Sequence, residues 1–108
     1  MPRNCATIDP MADLFTVIAR LQAKPGKESE VRAALLALIE PTRQEDGCVQ
    51  YDLHEHTENP GRFAFYENWT SKEHLDRHLA SSHLQAFFTA SQALLAEPAH
   101  IETYWRIA

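Results

Sequence analysis

The order in which strand-like and helix-like patterns follow one another constrains the fold of this chain more than any other feature. Four segments are strand-like: 14–23, 48–57, 62–69 and 101–107. Two stretches have apolar residues at helical spacing, one from Lys27 to Gln44 and one between Thr70 and Pro98. The order is therefore β-α-β-β-α-β, the split βαβ motif, in which right-handed crossovers place both helices on one face of an antiparallel sheet. The sequence predicts a ferredoxin-like α+β domain.

Both predicted helices contain a residue that interrupts them. Pro41 lacks a backbone donor and should bend the last turns of the first helix, and Gly47 can supply its left-handed stop. The second helix should open on a capping box formed by Thr70 and Glu73. Ser81 and its neighbour can start a new helix as an N-cap, so we expect the second helix to be broken in two.

The first strand is apolar on both of its sides, which has a consequence for assembly. Four apolar residues alternate on one side, and Leu14 and Ile18 lie on the other. The helices can cover only one face of the sheet, and the chain has no further element for the second face. We therefore expect a homodimer in which a second copy covers that face, with Ile18 or Trp105 of the last strand facing the partner.

Length and charge exclude several classes of protein. A chain of 108 residues is one ordinary domain, which we place at residues 14–108. Residues 1–13 lack periodicity and are expected to be a flexible extension; Met11 is a possible alternative start. The net charge of −5 disfavours nucleic acid and anionic membranes as partners. No apolar run is long enough to span a bilayer, so the expected location is cytoplasmic.

Metal and cofactor motifs are incomplete in this sequence. His54 and His56 share a strand face, and His74 and His78 share a helix face, but neither pair brings a third ligand. The three glycines are scattered and form no phosphate-binding turn. The two cysteines have no metal-binding spacing and are read as free thiols. We therefore expect no metal, flavin or nicotinamide cofactor.

Three sequence segments stand out: Glu45-Asp46-Gly47-Cys48 with Tyr51, Phe63-x-Phe65-Tyr66-Glu67-x-Trp69, and His78-Leu79-x-Ser81-x-His83 with Phe87. Together they resemble the antibiotic biosynthesis monooxygenase (ABM) domain. The resemblance spans about residues 14–107 and implies a dimeric α+β barrel that, in some members, oxidises quinols or polyphenols with dioxygen without a cofactor. The family also includes an isomerase of a phosphorylated autoinducer and haem-degrading enzymes. The haem enzymes carry an asparagine and a histidine at places that here hold Ala19 and Phe88, so haem degradation is not expected.

Five residues are the candidate site. We interpret His78 as the base, with His83 and Glu67 orienting it, because an imidazole near neutrality suits proton transfer. Trp69 and Tyr51 would shape an aromatic pocket. Each has a structural alternative: a boundary histidine, a Glu67 salt bridge, or an aromatic residue in the core.

Three functions remain open at this point. The first is a cofactor-independent monooxygenase acting on a quinol or polyphenol, since dioxygen reacts readily only with an electron-rich partner. The second is an isomerase that moves protons between carbons of a phosphorylated hydroxyketone; Arg20, Arg62 and Arg77 are then the candidate phosphate ligands. The third is a dimer that binds a small aromatic molecule and catalyses nothing.

Overall fold

The computed structural model of the chain describes residues 14–108 and has the predicted element order. The strands form one antiparallel sheet in the order β2-β3-β1-β4. The ferredoxin-like α+β fold predicted from the sequence is confirmed. The strands are β1 (Phe15–Gln22), β2 (Cys48–Glu55), β3 (Arg62–Trp69) and β4 (His100–Trp105), and the helices are α1 (Glu28–Leu36), α2 (Ile39–Arg43), α3 (Lys72–Leu79) and α4 (Ser82–Leu94).

Both crossover segments are broken helices. The first breaks between α1 and α2, ahead of Pro41, where Leu38 N–H bonds the Leu35 carbonyl in a tighter turn. The second restarts at Ser81, whose hydroxyl accepts the Leu84 N–H, as expected. The prediction for the start of α3 was wrong by one residue, because Ser71 rather than Thr70 is the N-cap. Within residues 14–108 no helix is long and apolar enough to cross a membrane.

Strand β2 departs from strict alternation at its start. The pairing with β3 shifts register between Cys48 and Gln50, so a bulge lies at Val49. Strict alternation would place Val49 on the same side as Tyr51, but Val49 is exposed and Tyr51 is buried. The bulge re-aims the strand so that Tyr51 enters the core.

The helices cover one face of the sheet and enclose the core there. Val17 and Ala19 of β1 lie on this face, as does every second residue of β3 from Phe63 to Trp69. Helices α1 and α4 contribute fully or largely buried apolar side chains to the same core. The core members from the helices and from the turn between α1 and α2 are Val31, Leu35, Leu38, Leu75, Leu84 and Phe87.

The opposite face of the sheet carries no helix and is more polar than expected. Ile18 is half-buried there, between Tyr66 and Glu102 on the neighbouring strands. A chain of side-chain hydrogen bonds crosses this face: Thr16 Oγ1 donates to Asn68 Oδ1 at 2.5 Å, and Asn68 Nδ2 donates to Gln50 Oε1 at 2.9 Å. Trp105 lies on the helix side, against Phe15. Of the two residues named for a partner contact, only Ile18 lies on the open face.

Candidate active site

A pocket lies between the helix side of the sheet and helices α3 and α4. Three of its lining residues carry polar atoms: Tyr51 from β2, Glu67 from β3 and His78 from α3. The rest of the wall is hydrocarbon or aromatic, so a bound molecule would be largely shielded from water. The apolar lining residues are Ala19, Leu21, Leu38, Phe65, Leu79, Leu84, Phe87, Phe88, Ala99 and Ile101.

Glu45 joins the two predicted catalytic histidines. Its Oε2 lies 2.9 Å from His78 Nδ1 and 2.7 Å from His83 Nε2. Because a carboxylate oxygen can only accept, each of these ring nitrogens carries the proton and donates it to Glu45. Neutral His78 therefore has its lone pair on Nε2. Glu45 fixes both the orientation and the tautomer of His78, as the carboxylate does in other carboxylate–histidine pairs.

His78 is held in an aromatic and largely dry environment. Its side chain is only 2% exposed, and its ring centroid lies 4.7 Å from that of Trp69 and 5.4 Å from that of Tyr51. Burial lowers the pKa of His78, although the Glu45 hydrogen bond and charge oppose that shift. Nε2 has no hydrogen-bond partner among residues 14–108, and His78 lines the pocket. The imidazole thus offers an unprotonated nitrogen to a bound ligand.

Glu67 has a different role from the predicted one. Its Oε1 accepts a hydrogen bond of 2.9 Å from Trp69 Nε1 on the same strand, and no histidine within the described residues bonds to it. The orienting carboxylate is Glu45. The alternative of a salt bridge to Arg20 is also not seen, because Arg20 lies on the other face of the sheet and pairs with Glu102 at 3.2 Å.

The carboxyl group of Glu67 is present in both its neutral and its charged form near pH 7. Burial raises the pKa of Glu67 to about 7, the Trp69 N–H opposes the shift, and the negative charge of Glu45 adds to it. The side chain is only 4% exposed. At neutral pH this pocket group can therefore act as a hydrogen-bond donor as well as an acceptor.

The two predicted aromatic residues lie at different depths. Tyr51 lines the pocket and stacks on Phe65 with ring centroids 4.6 Å apart, and burial raises the pKa of its phenol. Trp69 is completely buried and does not line the cavity. Trp69 packs beside His78 and donates a hydrogen bond to Glu67, so it supports the site from within the core. This agrees with the alternative interpretation of Trp69 as a core residue.

The sequence reasoning missed Glu45. The residue stands in the first of the three segments that resemble the family, but it was not assigned a role there. It follows α2 in a loop, and its distance to His78 in sequence is 33 residues. Pattern spacing does not reveal such a contact, because it depends on how the loop packs against α3.

Gly47 lets this loop approach α3. Its φ is +82°, and a Cβ there would collide with the ring of His74. A side chain at residue 47 would therefore both strain the backbone and push the Glu45 loop away from α3. Gly47 is therefore required both because of its positive φ and because a Cβ would collide with His74.

A Gly47→Ala variant is expected to be less stable than a Gly26→Ala variant. Both glycines have positive φ, but a Cβ at Gly26 meets nothing within 4 Å. We expect a loss in the free energy of unfolding of about 1 kcal/mol at Gly26 and about 3 kcal/mol at Gly47, where the clash adds to the strain. Urea unfolding of the two variants checks this. Equal losses would show that the His74 contact does not hold the loop.

The histidine pairs considered as metal ligands from sequence do not form sites. His56 Nδ1 accepts the backbone N–H groups of Glu58 and Asn59, and the Nδ1 of His74 bonds Thr70 and Ser71. His78 turns instead to Glu45. The two positions compared with haem enzymes, Ala19 and Phe88, both line the pocket and offer no ligand for iron.

Comparison with known proteins agrees with this fold. Residues 14–90 match the antibiotic biosynthesis monooxygenase family, which is most of the chain. This chain belongs to the ABM family. The Mycobacterium tuberculosis protein named "Putative monooxygenase Rv0793" is 39% identical over 88 residues, covering 82% of this chain and 86% of that protein.

Two further proteins are similar to this chain over different extents. A Synechocystis protein, sll1783, is 35% identical over 92 residues, but those cover 85% of this chain and only 63% of that protein. The crystal structure of PA3566 from Pseudomonas aeruginosa superposes with a TM-score of 0.85 at 34% identity, covering 93% of this chain and all of that one. The ABM fold of this chain is therefore shown by sequence and by structure.

Proposed function

We propose that this ABM protein is a cofactor-independent monooxygenase that oxidises a quinol or polyphenol with dioxygen. One observation carries the proposal: Glu45 binds Nδ1 of His78, which leaves Nε2 without a hydrogen-bond partner among residues 14–108, on a residue that lines an apolar pocket. Phenols need only a base and a dry site to become electron-rich anions that react with oxygen. The family match and the name of the M. tuberculosis relative support the same class of reaction.

The reaction can be written with protein groups alone. His78 Nε2 accepts a phenolic proton, and the positive imidazolium is stabilised by Glu45. The phenolate then gives electrons to dioxygen; one oxygen atom enters the ring and the other leaves as water. A hydroquinone plus O2 thus gives a hydroxyquinone plus H2O, so the substrate supplies every electron and no external reductant is needed.

Glu67 and Tyr51 are proposed to bind the substrate rather than to orient the base. Both residues line the pocket, and protonated Glu67 can donate to a second oxygen of the ring. His83 is partly exposed and shares the Glu45 oxygen, which makes it a positioning residue. Trp69 acts on the site through Glu67 and His78.

The charges around the pocket do not favour the isomerase alternative. No lysine or arginine is among the described residues that line the pocket. Arg20 pairs with Glu102 on the open face, and Arg62 bonds Gln22 near the end of the sheet. A phosphorylated substrate would therefore enter a pocket holding a carboxyl group and no cation, which costs free energy.

Oxygen uptake tests the proposed reaction. Chelator-dialysed protein is mixed with a panel of hydroquinones, catechols and naphthohydroquinones in an oxygen electrode. We expect uptake above the protein-free rate, with one O2 consumed per hydroxyquinone formed. Uptake equal to the protein-free rate for every substrate would refute oxidation. Proton exchange of small hydroxyketones in deuterated water without oxygen would then support the isomerase, and saturable binding without product would support a binding protein.

We also propose that the protein is a homodimer whose copies meet through their open sheet faces. Ile18, Tyr66 and Tyr104 lie on this face, the last two more than a third exposed. Packing two such faces would bury more than about 1,000 Å² in total, which is typical of a specific interface. The hydrogen-bonded side chains of Thr16 and Asn68 would lie within it.

An Ile18→Lys variant is expected to lower dimer content and stability together. The cross-strand neighbour Glu102 offsets the new charge in the monomer, whereas apposed copies would have to bury it. Leu36→Lys is the control, because Leu36 is 50% exposed at the end of α1, away from the sheet. Light scattering and unfolding at several protein concentrations check both. A folded wild-type monomer of about 12 kDa at micromolar concentration would contradict the proposal.

A further inference from the structure

The two histidines and the carboxylate of the site also form a possible metal-ligand set. Glu45 Oε2, His78 Nδ1 and His83 Nε2 lie within 4.8 Å of one another, and they are the one group of three such ligands found within residues 14–108. Two imidazoles and one carboxylate suit zinc and its neighbours in the first transition row, whereas Mg²⁺ and Ca²⁺ prefer oxygen ligands. We propose that this group, the Glu45–His78–His83 cluster, binds a divalent transition ion such as Zn²⁺.

The cluster can open to the size of a metal site with small movements. Its hydrogen-bonded edges are 2.7 and 2.9 Å long, whereas ligands about 2.0–2.1 Å from a tetrahedral Zn²⁺ are separated by about 3.3 Å. These two edges must lengthen by about half an ångström, and the edge between the two histidine nitrogens, which lie within 4.8 Å of each other, must shorten by up to about 1.5 Å. Glu45 stands in the loop between α2 and β2, and His83 in the first turn of α4, so both can adjust while His78 stays fixed in the core.

The cluster can be reached from solvent without passing through the pocket. The side chains of Glu45 and His83 are 17% and 23% exposed, whereas that of His78 is 2% exposed. An ion would therefore arrive from the Glu45 and His83 side and take His78 Nδ1 as its inner ligand. Water can fill the fourth position of a tetrahedral ion.

Metal binding would switch off the base, a consequence that rests on the proposed function. A metal bound to Nδ1 replaces the proton that Nδ1 now donates in its hydrogen bond to Glu45. The neutral imidazole then carries its proton on Nε2. Nε2 is the atom proposed to take the phenolic proton. The ion and the substrate would then bind on opposite sides of one imidazole, and the ion would inhibit turnover without entering the pocket.

Cobalt titration tests the site directly and needs no substrate. CoCl2 is added to chelator-dialysed protein, and we expect the visible absorption of tetrahedral Co²⁺ at one ion per chain, lost on addition of ZnCl2. Loss of a partner that only supports a ligand costs about 10–100-fold in metal affinity. Glu45→Ala and His83→Ala should therefore each raise the Co²⁺ dissociation constant at least about tenfold. Far-UV circular dichroism checks folding, and Glu45→Gln replaces any variant that unfolds.

The matched control removes the other histidine pair. A His54→Ala/His56→Ala double variant should bind Co²⁺ like the wild type, because both residues are exposed and outside the cluster. Unchanged affinity in the cluster variants, or loss of binding in the control, would overturn the site. Zn²⁺ should also inhibit any oxygen uptake, and binding without inhibition would overturn the switch. If no substrate is oxidised at all, the proposed function fails while the cobalt result stands by itself.

Discussion

Replacing His78 by glutamine is expected to lower the rate of quinol oxidation by about 10²–10⁴-fold, the usual contribution of a general base. Glutamine can still donate its amide N–H to Glu45, and its size keeps the packing beside Trp69, but it has no basic nitrogen for the pocket. The loss should therefore fall on kcat rather than on KM. Oxygen uptake with the best substrate of the panel measures it.

The control for this variant is His54→Gln on the exposed part of β2, which should leave the rate unchanged. Glu45→Gln should lie between the two, because it keeps an acceptor for Nδ1 but removes the charge that stabilises the imidazolium. If His78→Gln oxidises quinols at the wild-type rate, His78 is not the base.

Replacing Glu67 by glutamine is expected to stabilise the protein at pH 8 by about 3 kcal/mol. The pKa of Glu67 is raised from 4.5 to about 7 in the folded protein, chiefly by burial. Between these pH values the folded state holds more protons than the unfolded state, so the free energy of unfolding of the wild type falls as pH rises. Glutamine does not titrate, and its carbonyl can still accept the Trp69 N–H.

The stability difference should itself depend on pH. At pH 4 both forms of residue 67 are neutral in the folded state, so the Glu67→Gln variant and the wild type should unfold at nearly the same urea concentration. The difference in the free energy of unfolding between the variant and the wild type should grow from about pH 4.5 upward and become constant above pH 7. Glu73→Gln, at an exposed position of α3, is the surface control. A constant gap at all pH values would contradict a buried, titrating Glu67.

Most of the fold could be predicted because it follows from local patterns. The helical spacing of Val31, Leu35 and Leu38 and the alternation in β3 are periodic signals that survive in the folded protein. The errors occur where tertiary contacts override the pattern. The bulge at Val49 changes which side of β2 that residue faces, and the cap at Ser71 instead of Thr70 shifts the start of α3 by one residue.

The site could be predicted only in part, for a physical reason. His78 was placed correctly on the pocket wall because its helix face follows from spacing. Its partner was assigned wrongly: Glu67 is a strand neighbour of the pocket, but Glu45 makes the hydrogen bond from a loop. Loop contacts depend on the close approach allowed at Gly47, which no periodicity encodes. The depth of Trp69, 0% exposed, likewise became clear only in three dimensions.

The central claim is that Glu45 fixes His78 with a free Nε2 toward the pocket, and ¹⁵N NMR of the histidine side chains tests it most directly. Spectra of metal-free protein near neutral pH, assigned with His78→Gln, should show neutral His78 with the proton on Nδ1, and the Nε2 signal should shift when a non-oxidisable phenol binds. A proton on Nε2, or an Nε2 signal that the bound phenol leaves unchanged, would contradict the account.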